Sequence, residues 1–227
     1  MGGSALPGYE DFSPNEIEYI LFDWDGTLAD TAELILYTFR ETFRVLDIPP
    51  LEDEKIMSQI GRPLHLQARD IDPNREKEIF DTYRRIYNEH YDELAGEFPG
   101  VREALFGLRD RGYRMAIVTS KRYASAGAEI ERLGLKACFE ALVTADDTDR
   151  HKPLPDPALK ALERLGAPAH EATFIGDSPF DLRCARAAGV AAGAVEWGPY
   201  PRKELEAENP DYWVSEPSSL LVLFPGV

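Results

Sequence analysis

Tyr19-Ile20-Leu21-Phe22-Asp23-Trp24-Asp25-Gly26-Thr27-Leu28-Ala29-Asp30-Thr31 is an apolar run that stops at two carboxylates. Tyr19 to Phe22 is too short and too continuously apolar for an amphipathic helix, and it reads as a strand buried on both faces in a parallel sheet. Successive strand side chains point to opposite faces, so Asp23 and Asp25 are expected on one side and Trp24 on the other. Gly26 allows a tight turn and close approach of a ligand or metal, and the Thr27 hydroxyl can orient a neighbouring carboxylate. Two carboxylates so close ionise together only with a cation or a shared proton. A divalent metal meets that need, and oxygen-only ligands favour magnesium over zinc. Alone, the pair also fits a turn followed by a helix cap; the rest of the chain has to decide.

Outward from this stretch, 227 residues suffice for one domain carrying a sizeable insertion. The 41 acidic against 25 basic residues give a formal charge of -16, which repels nucleic acid and anionic membranes. An anionic substrate must then be held by local positive groups and a metal. Cys138 and Cys184 lack CxxC spacing, which argues against a zinc site or a disulfide framework and fits a reducing cytosol. No run approaches the ~20 apolar residues of a membrane span, and no secretory signal is recognisable. The expectation is a cytoplasmic protein, with monomer and homodimer both open.

Residues 1–16 carry no periodicity and read as a flexible tail. From Thr31, the residues Leu34, Ile35, Phe39, Phe43 and Leu46 recur at helical spacing until Pro49-Pro50. Further helical stretches follow up to Gly100. In one of them Asp72 is expected to cap and Pro73 to open a helix with Ile79, Phe80, Tyr83, Ile86 and Tyr87 on one face. Strands are then expected over 115–118, 142–144, 173–175, 192–195 and 212–214, with helices between them. This alternation predicts an α/β fold, a Rossmann-like parallel sheet with helices on both faces. Asp23 and Thr119 are separated by about three times the roughly 30 residues of one strand–helix–strand unit. The excess is an inserted helical cap. The expected division is a core of residues 17–30 and 100–227 and a cap of residues 31–99, placed to close over the carboxylates and exclude water.

Three further stretches follow predicted strands. Ala116-Ile117-Val118-Thr119-Ser120-Lys121-Arg122 places hydroxyls and backbone N–H groups between a strand end and a helix start, where phosphate binds; taken alone, the stretch favours Thr119 or Ser120 as a simple helix cap. Lys152 stands in the proline-rich loop His151-Lys152-Pro153-Leu154-Pro155-Asp156-Pro157, from which its ammonium can reach a site. In Thr173-Phe174-Ile175-Gly176-Asp177-Ser178-Pro179-Phe180-Asp181, Ser178 can cap and Pro179 open a helix that turns Asp181 toward Asp177.

In this order, DxDGT, Thr119-Ser120, KPxPDP and GDSxxD resemble the four motifs of the haloacid dehalogenase superfamily of phosphohydrolases, and the inserted cap resembles that of its phosphoglycolate phosphatase-like subfamily. The resemblance implies a magnesium-dependent phosphatase acting on a small phosphorylated metabolite through an aspartyl-phosphate. Asp23 would be the nucleophile and Asp25 the acid and base. Thr119, with Ser120, would hold the phosphoryl group, and Lys152 would neutralise it. The metal would sit on Asp23, the backbone carbonyl of Asp25 and Asp177, with Asp181 in support. His151 is expected to have no chemical role. Asp25 argues against carbon–halogen cleavage, because the resembling dehalogenases generally lack that second Asp. A phosphomutase of the β-phosphoglucomutase kind shares all four motifs and stays open. Gln59-Ile60-Gly61-Arg62-Pro63-Leu64 and His90-Tyr91-Asp92-Glu93-Leu94 also resemble the related inorganic pyrophosphatases. Arg62, at a bend of the cap, is expected to grip the leaving group.

Overall fold

The computed structural model describes residues 13–227, so most of the expected tail lies outside the described residues. Pro14–Glu16 form one 3-10 turn. The sheet begins at β1 (Tyr19–Phe22), buried along its whole length. A two-residue strand β2 (Ala29–Asp30) follows, then the inserted helices α1 (Ala32–Val45), α2 (Asp53–Met57), α3 (Leu64–Ile71) and α4 (Glu76–Leu94), then β3 (Gly96–Glu97). The rest alternates: α5 (Val101–Asp110), β4 (Arg114–Val118), α6 (Tyr123–Arg132), β5 (Ala141–Val143), α7 (Asp156–Leu165), β6 (Ala172–Gly176), α8 (Pro179–Ala188), β7 (Ala191–Val195), α9 (Arg202–Glu206), β8 (Tyr212–Val214) and α10 (Leu220–Leu223).

The six long-sheet strands run in the order β5-β4-β1-β6-β7-β8, every pair parallel. β1 is central, which is why its residues are apolar without interruption. Alternation along the strands divides the interior in two. Leu21, Ala116, Val118 and Phe174 face one helical layer, while Ile20, Phe22, Met115, Ile117 and Ile175 face the other. Each fully buried side chain of this size stabilises the fold by roughly 1.5–3 kcal/mol.

The helical insertion leaves the sheet directly after β1, as its length predicts. Its ends are zipped together by the antiparallel ribbon β2–β3, with Ala29 opposite Glu97 and Asp30 opposite Gly96. Strands of two residues carry no readable period, so this ribbon was not expected. α1 lies against α4 through rings, Phe39 and Tyr83 having centroids 4.7 Å apart. Pro73 does not open α4, which begins at Glu76; Asp72 instead ends α3 and its Oδ1 accepts the Asn74 N–H at 2.9 Å, an Asx turn that wins over capping. Cys138 and Cys184 are free and buried. Among the described residues, no helix is long and apolar enough to cross a membrane.

Candidate active site

β1, β4 and β6 are neighbours and parallel, so their C-terminal ends share one edge of the sheet. Each delivers a polar residue just beyond its last strand position: Asp23, Thr119 and Asp177. Open parallel sheets bind ligands at that edge. Lys152 reaches in from the loop before α7, and its Nζ lies 2.7 Å from Asp23 Oδ1 and 2.6 Å from Asp181 Oδ1. All four side chains are essentially buried.

Asp23, Asp177 and Asp181 each offer a carboxylate oxygen, all within 4.8 Å of one another. Thr27 donates its hydroxyl to Asp177 Oδ1 at 2.8 Å. It does orient a carboxylate, but the one on β6 rather than its own neighbour. Ser178 and Asp181 form a reciprocal capping box at the start of α8, so Asp181 uses Oδ2 as a cap and Oδ1 toward Lys152.

Burial, and after it the nearby Asp181, pushes the Asp23 carboxyl up to about 7 against the pull of Lys152. Asp177 is held well above the usual carboxylate range by burial, then by Asp181 and Asp23. Burial works to neutralise Lys152, but Asp181 and Asp23 outweigh it and hold the ammonium above its ordinary value. Three carboxylates facing one ammonium leave negative charge uncompensated in a dry place. Among the described residues, Asp177 Oδ2 is buried with no hydrogen-bond partner, which is what an absent cation would leave. The backbone closes on that carboxylate through glycines: a Cβ on Gly26, at φ +82°, would stand 2.5 Å from Asp177 Oδ2, and one on Gly198 would stand 2.3 Å from Asp177 Cβ. The oxygen-only donors and the charge fit a hard divalent cation.

Asp25 lines the same cavity as Asp23, but its carboxylate is not among the three clustered ones. Its Oδ1 accepts from the Thr31 hydroxyl at 2.7 Å and pairs with Lys121 Nζ at 2.8 Å. Trp24 turns away and is buried, donating its indole N–H to Glu129 at 2.8 Å. Thr119 also lines the cavity. The Ser120 hydroxyl, expected on substrate, instead donates to the carbonyl of Gly61 at 2.5 Å. Tyr200 donates to the carbonyl of Ile60 at 2.9 Å, so the bend of the cap is pinned to the core twice. Arg62 lines the cavity, with its guanidinium on Asp70 at 2.8 Å and on Gln59. The space between sheet edge and cap is about 100 Å³.

Strand-end carboxylates gathered on a buried lysine under a helical insertion have a counterpart among known proteins: the haloacid dehalogenase-like hydrolase family matches over residues 20–195. The chain is a haloacid dehalogenase-like hydrolase. The hydrolase is 38% identical over 208 residues to a putative pyrophosphatase PpaX of Clostridium perfringens, covering 91% of this chain and 97% of the relative. It is 36% identical over 205 residues to the pyrophosphatase PpaX of Bacillus cereus, covering 90% and 95%. Its fold superposes on a haloacid dehalogenase-like family hydrolase of Streptococcus pneumoniae with a TM-score of 0.81, at 28% identity, over 92% of this chain and 99% of that one.

Sequence reasoning missed the residues around Asp25 in the hydrolase's site. Lys121 touches Asp25, Glu129 and Tyr87 at once. Burial works against its charge, but Asp25 and Glu129 outweigh it and hold the ammonium above its ordinary value. Its signal was present in the Thr119-Ser120-Lys121 run, where the hydroxyls drew attention. Glu129 could have been found as a charge on the otherwise apolar stripe of α6, between Ala126 and Ile130. Tyr87 sat on the expected apolar face of α4, and nothing in its spacing marked a hydroxyl that reaches the core.

Proposed function

We propose that the hydrolase is a magnesium-dependent phosphatase whose preferred substrate is inorganic pyrophosphate, cleaved by way of a phosphoryl group carried on Asp23. The observation that carries this reading is the cavity. At about 100 Å³ it is smaller than the roughly 300–1,000 Å³ of sites that take larger ligands. Carboxylates and Lys152 stand at one end, and Arg62 and Arg84 of the cap and Arg122 of the core line the rest. A short substrate that is anionic at both ends suits that arrangement, and the names of the PpaX relatives agree. A small phosphomonoester with an anionic tail, as the motif spacing suggests, meets the same cations and is the comparison substrate.

Asp23 attacks the terminal phosphorus in line, its oxygen forming the new P–O bond as the bond to the leaving phosphate breaks. Asp25 gives its proton to the departing oxygen. Lys152 balances the charge on Asp23 and the transferring group, and the Thr119 hydroxyl donates to a phosphoryl oxygen. Water then attacks the phosphorus and gives a proton to Asp25 as the P–O bond to Asp23 breaks, so the second phosphate leaves and Asp23 is free. Magnesium held by Asp23, Asp177 and the Asp25 backbone carbonyl, with Asp181 in support, would supply charge stabilisation on the phosphoryl oxygens.

The test is a kcat/KM comparison with magnesium present. Pyrophosphate is expected to exceed phosphoglycolate and sugar phosphates by about tenfold or more. A higher value for phosphoglycolate would return the monoester reading, and formation of glucose 6-phosphate from glucose 1-phosphate would make the protein a mutase.

A further inference from the structure

Among the described residues, Asp25 is held through one carboxylate oxygen. Oδ1 accepts from Thr31 at 2.7 Å and pairs with Lys121 at 2.8 Å, which leaves Oδ2 as the atom that can carry or take a proton. An ammonium has three hydrogens, and those of Lys121 all have acceptors: Asp25 Oδ1 at 2.8 Å, Glu129 Oε1 at 3.0 Å and the Tyr87 hydroxyl at 2.6 Å. It lies 4.5 Å from the centre of the Tyr87 ring. The charge is spent inside the protein, with none of its hydrogens left for substrate. Glu129 is fixed in turn by the Trp24 indole at 2.8 Å. Trp24 stands between Asp23 and Asp25 in the chain, so the contacts close a loop around the strand end.

We propose that Lys121, held by Glu129 and Trp24, is the positioning residue of Asp25, pinning Oδ1 so that Oδ2 faces the leaving group, and that Tyr87 makes this alignment depend on a seated cap. Without Lys121, Thr31 is the remaining hydrogen bond on the carboxylate among the described residues, and the group can then swing. A misplacement of about 1 Å costs on the order of a hundredfold in rate. Glu129 also neutralises Lys121, so Asp25 receives a directed hydrogen bond rather than a bare positive charge. Tyr87 belongs to α4 of the cap, Asp25 and Glu129 to the core, and Lys121 is one of the groups through which the two touch.

The inference rests on Asp25 acting as acid and base, and the experiment separates the two. Two substrates are compared: p-nitrophenyl phosphate, whose phenolate leaves without a proton, and an alkyl phosphate such as phosphoglycolate, whose leaving alkoxide needs one. Asp25→Asn should lose far more kcat/KM, which reports the first phosphoryl transfer, on the second; if it does not, the acid–base reading fails and this inference with it. Given that split, Lys121→Met should lower kcat/KM for the proton-requiring substrate about tenfold beyond its effect on p-nitrophenyl phosphate. It should add nothing further in an Asp25→Asn background. Equal losses on both substrates, or full additivity with Asp25→Asn, would make Lys121 merely structural and overturn the proposal. Deleting the ammonium leaves Glu129 buried without its cation. The charge-neutral pair Lys121→Met/Glu129→Gln, which keeps an acceptor for Trp24, therefore carries the same comparison if the single variant fails to fold. Tyr87→Phe, which removes one hydroxyl and no charge, should show the same split at smaller size.

Discussion

Asp23 is a carboxylate kept where its charge is resisted, by burial first and then by Asp181, with its carboxyl at about 7 before any cation arrives. A folded-state value raised above the unfolded one stabilises the fold below the unfolded value, and that contribution is lost as pH rises through the folded value. For Asp23 the loss falls between about 4 and 7, and Asp177 shifts in the same direction. Magnesium-free protein should therefore melt lower at pH 8 than at pH 5, and added magnesium should raise Tm more at pH 8. An equal gain at both values would remove these carboxylates as the cation's ligands. Asp23→Asn should abolish phosphate release from every substrate while its far-UV circular dichroism is unchanged. It should also raise the magnesium-free Tm at pH 8 by about 3 °C or more, the shift that ~1 kcal/mol produces in a domain of this size. Turnover by the pure variant would exclude Asp23 as nucleophile. Gly26→Ala strains a residue at φ +82° and drives a methyl onto Asp177 Oδ2, so the magnesium-dependent rise in Tm should disappear with activity.

At the scale of elements, the cap is held at one bend by two hydrogen bonds, Ser120 to Gly61 and Tyr200 to Ile60. Each is worth about 1 kcal/mol, enough to bias the seating of a cap without unfolding the sheet. Ser120→Ala together with Tyr200→Phe should raise KM for pyrophosphate severalfold and shift Tm by only a few degrees; an unchanged KM would mean that this bend does not govern substrate access. Arg62 lies on the same bend and is already held by Asp70 and Gln59. Pre-oriented in this way, it should act on the leaving group, so Arg62→Ala should raise KM for pyrophosphate much more than for p-nitrophenyl phosphate. Equal effects on the two would leave it a structural arginine.

Over the whole molecule, what the sequence by itself determined was the sheet and its working edge. Runs such as Tyr19–Phe22 are apolar without a break because a central parallel strand is buried on both faces, and the acids that end them lie at the C-terminal edge because all the strands run one way. The serine and proline signals of α8 were equally local: Ser178 caps the helix and Pro179 opens it, as the residue order predicts. The excess length between β1 and β4 announced an insertion. Only the tertiary structure decided which groups meet across it. Asp25 meets Lys121 rather than the carboxylate cluster, the Ser120 hydroxyl meets the cap while the residue lines the cavity, and Glu129 reaches Trp24 from more than a hundred residues away. Such pairings depend on how the helices pack over the sheet edge, and no period of two or 3.6 residues records that; periodicity tells which face is buried, and packing alone tells what it is buried against.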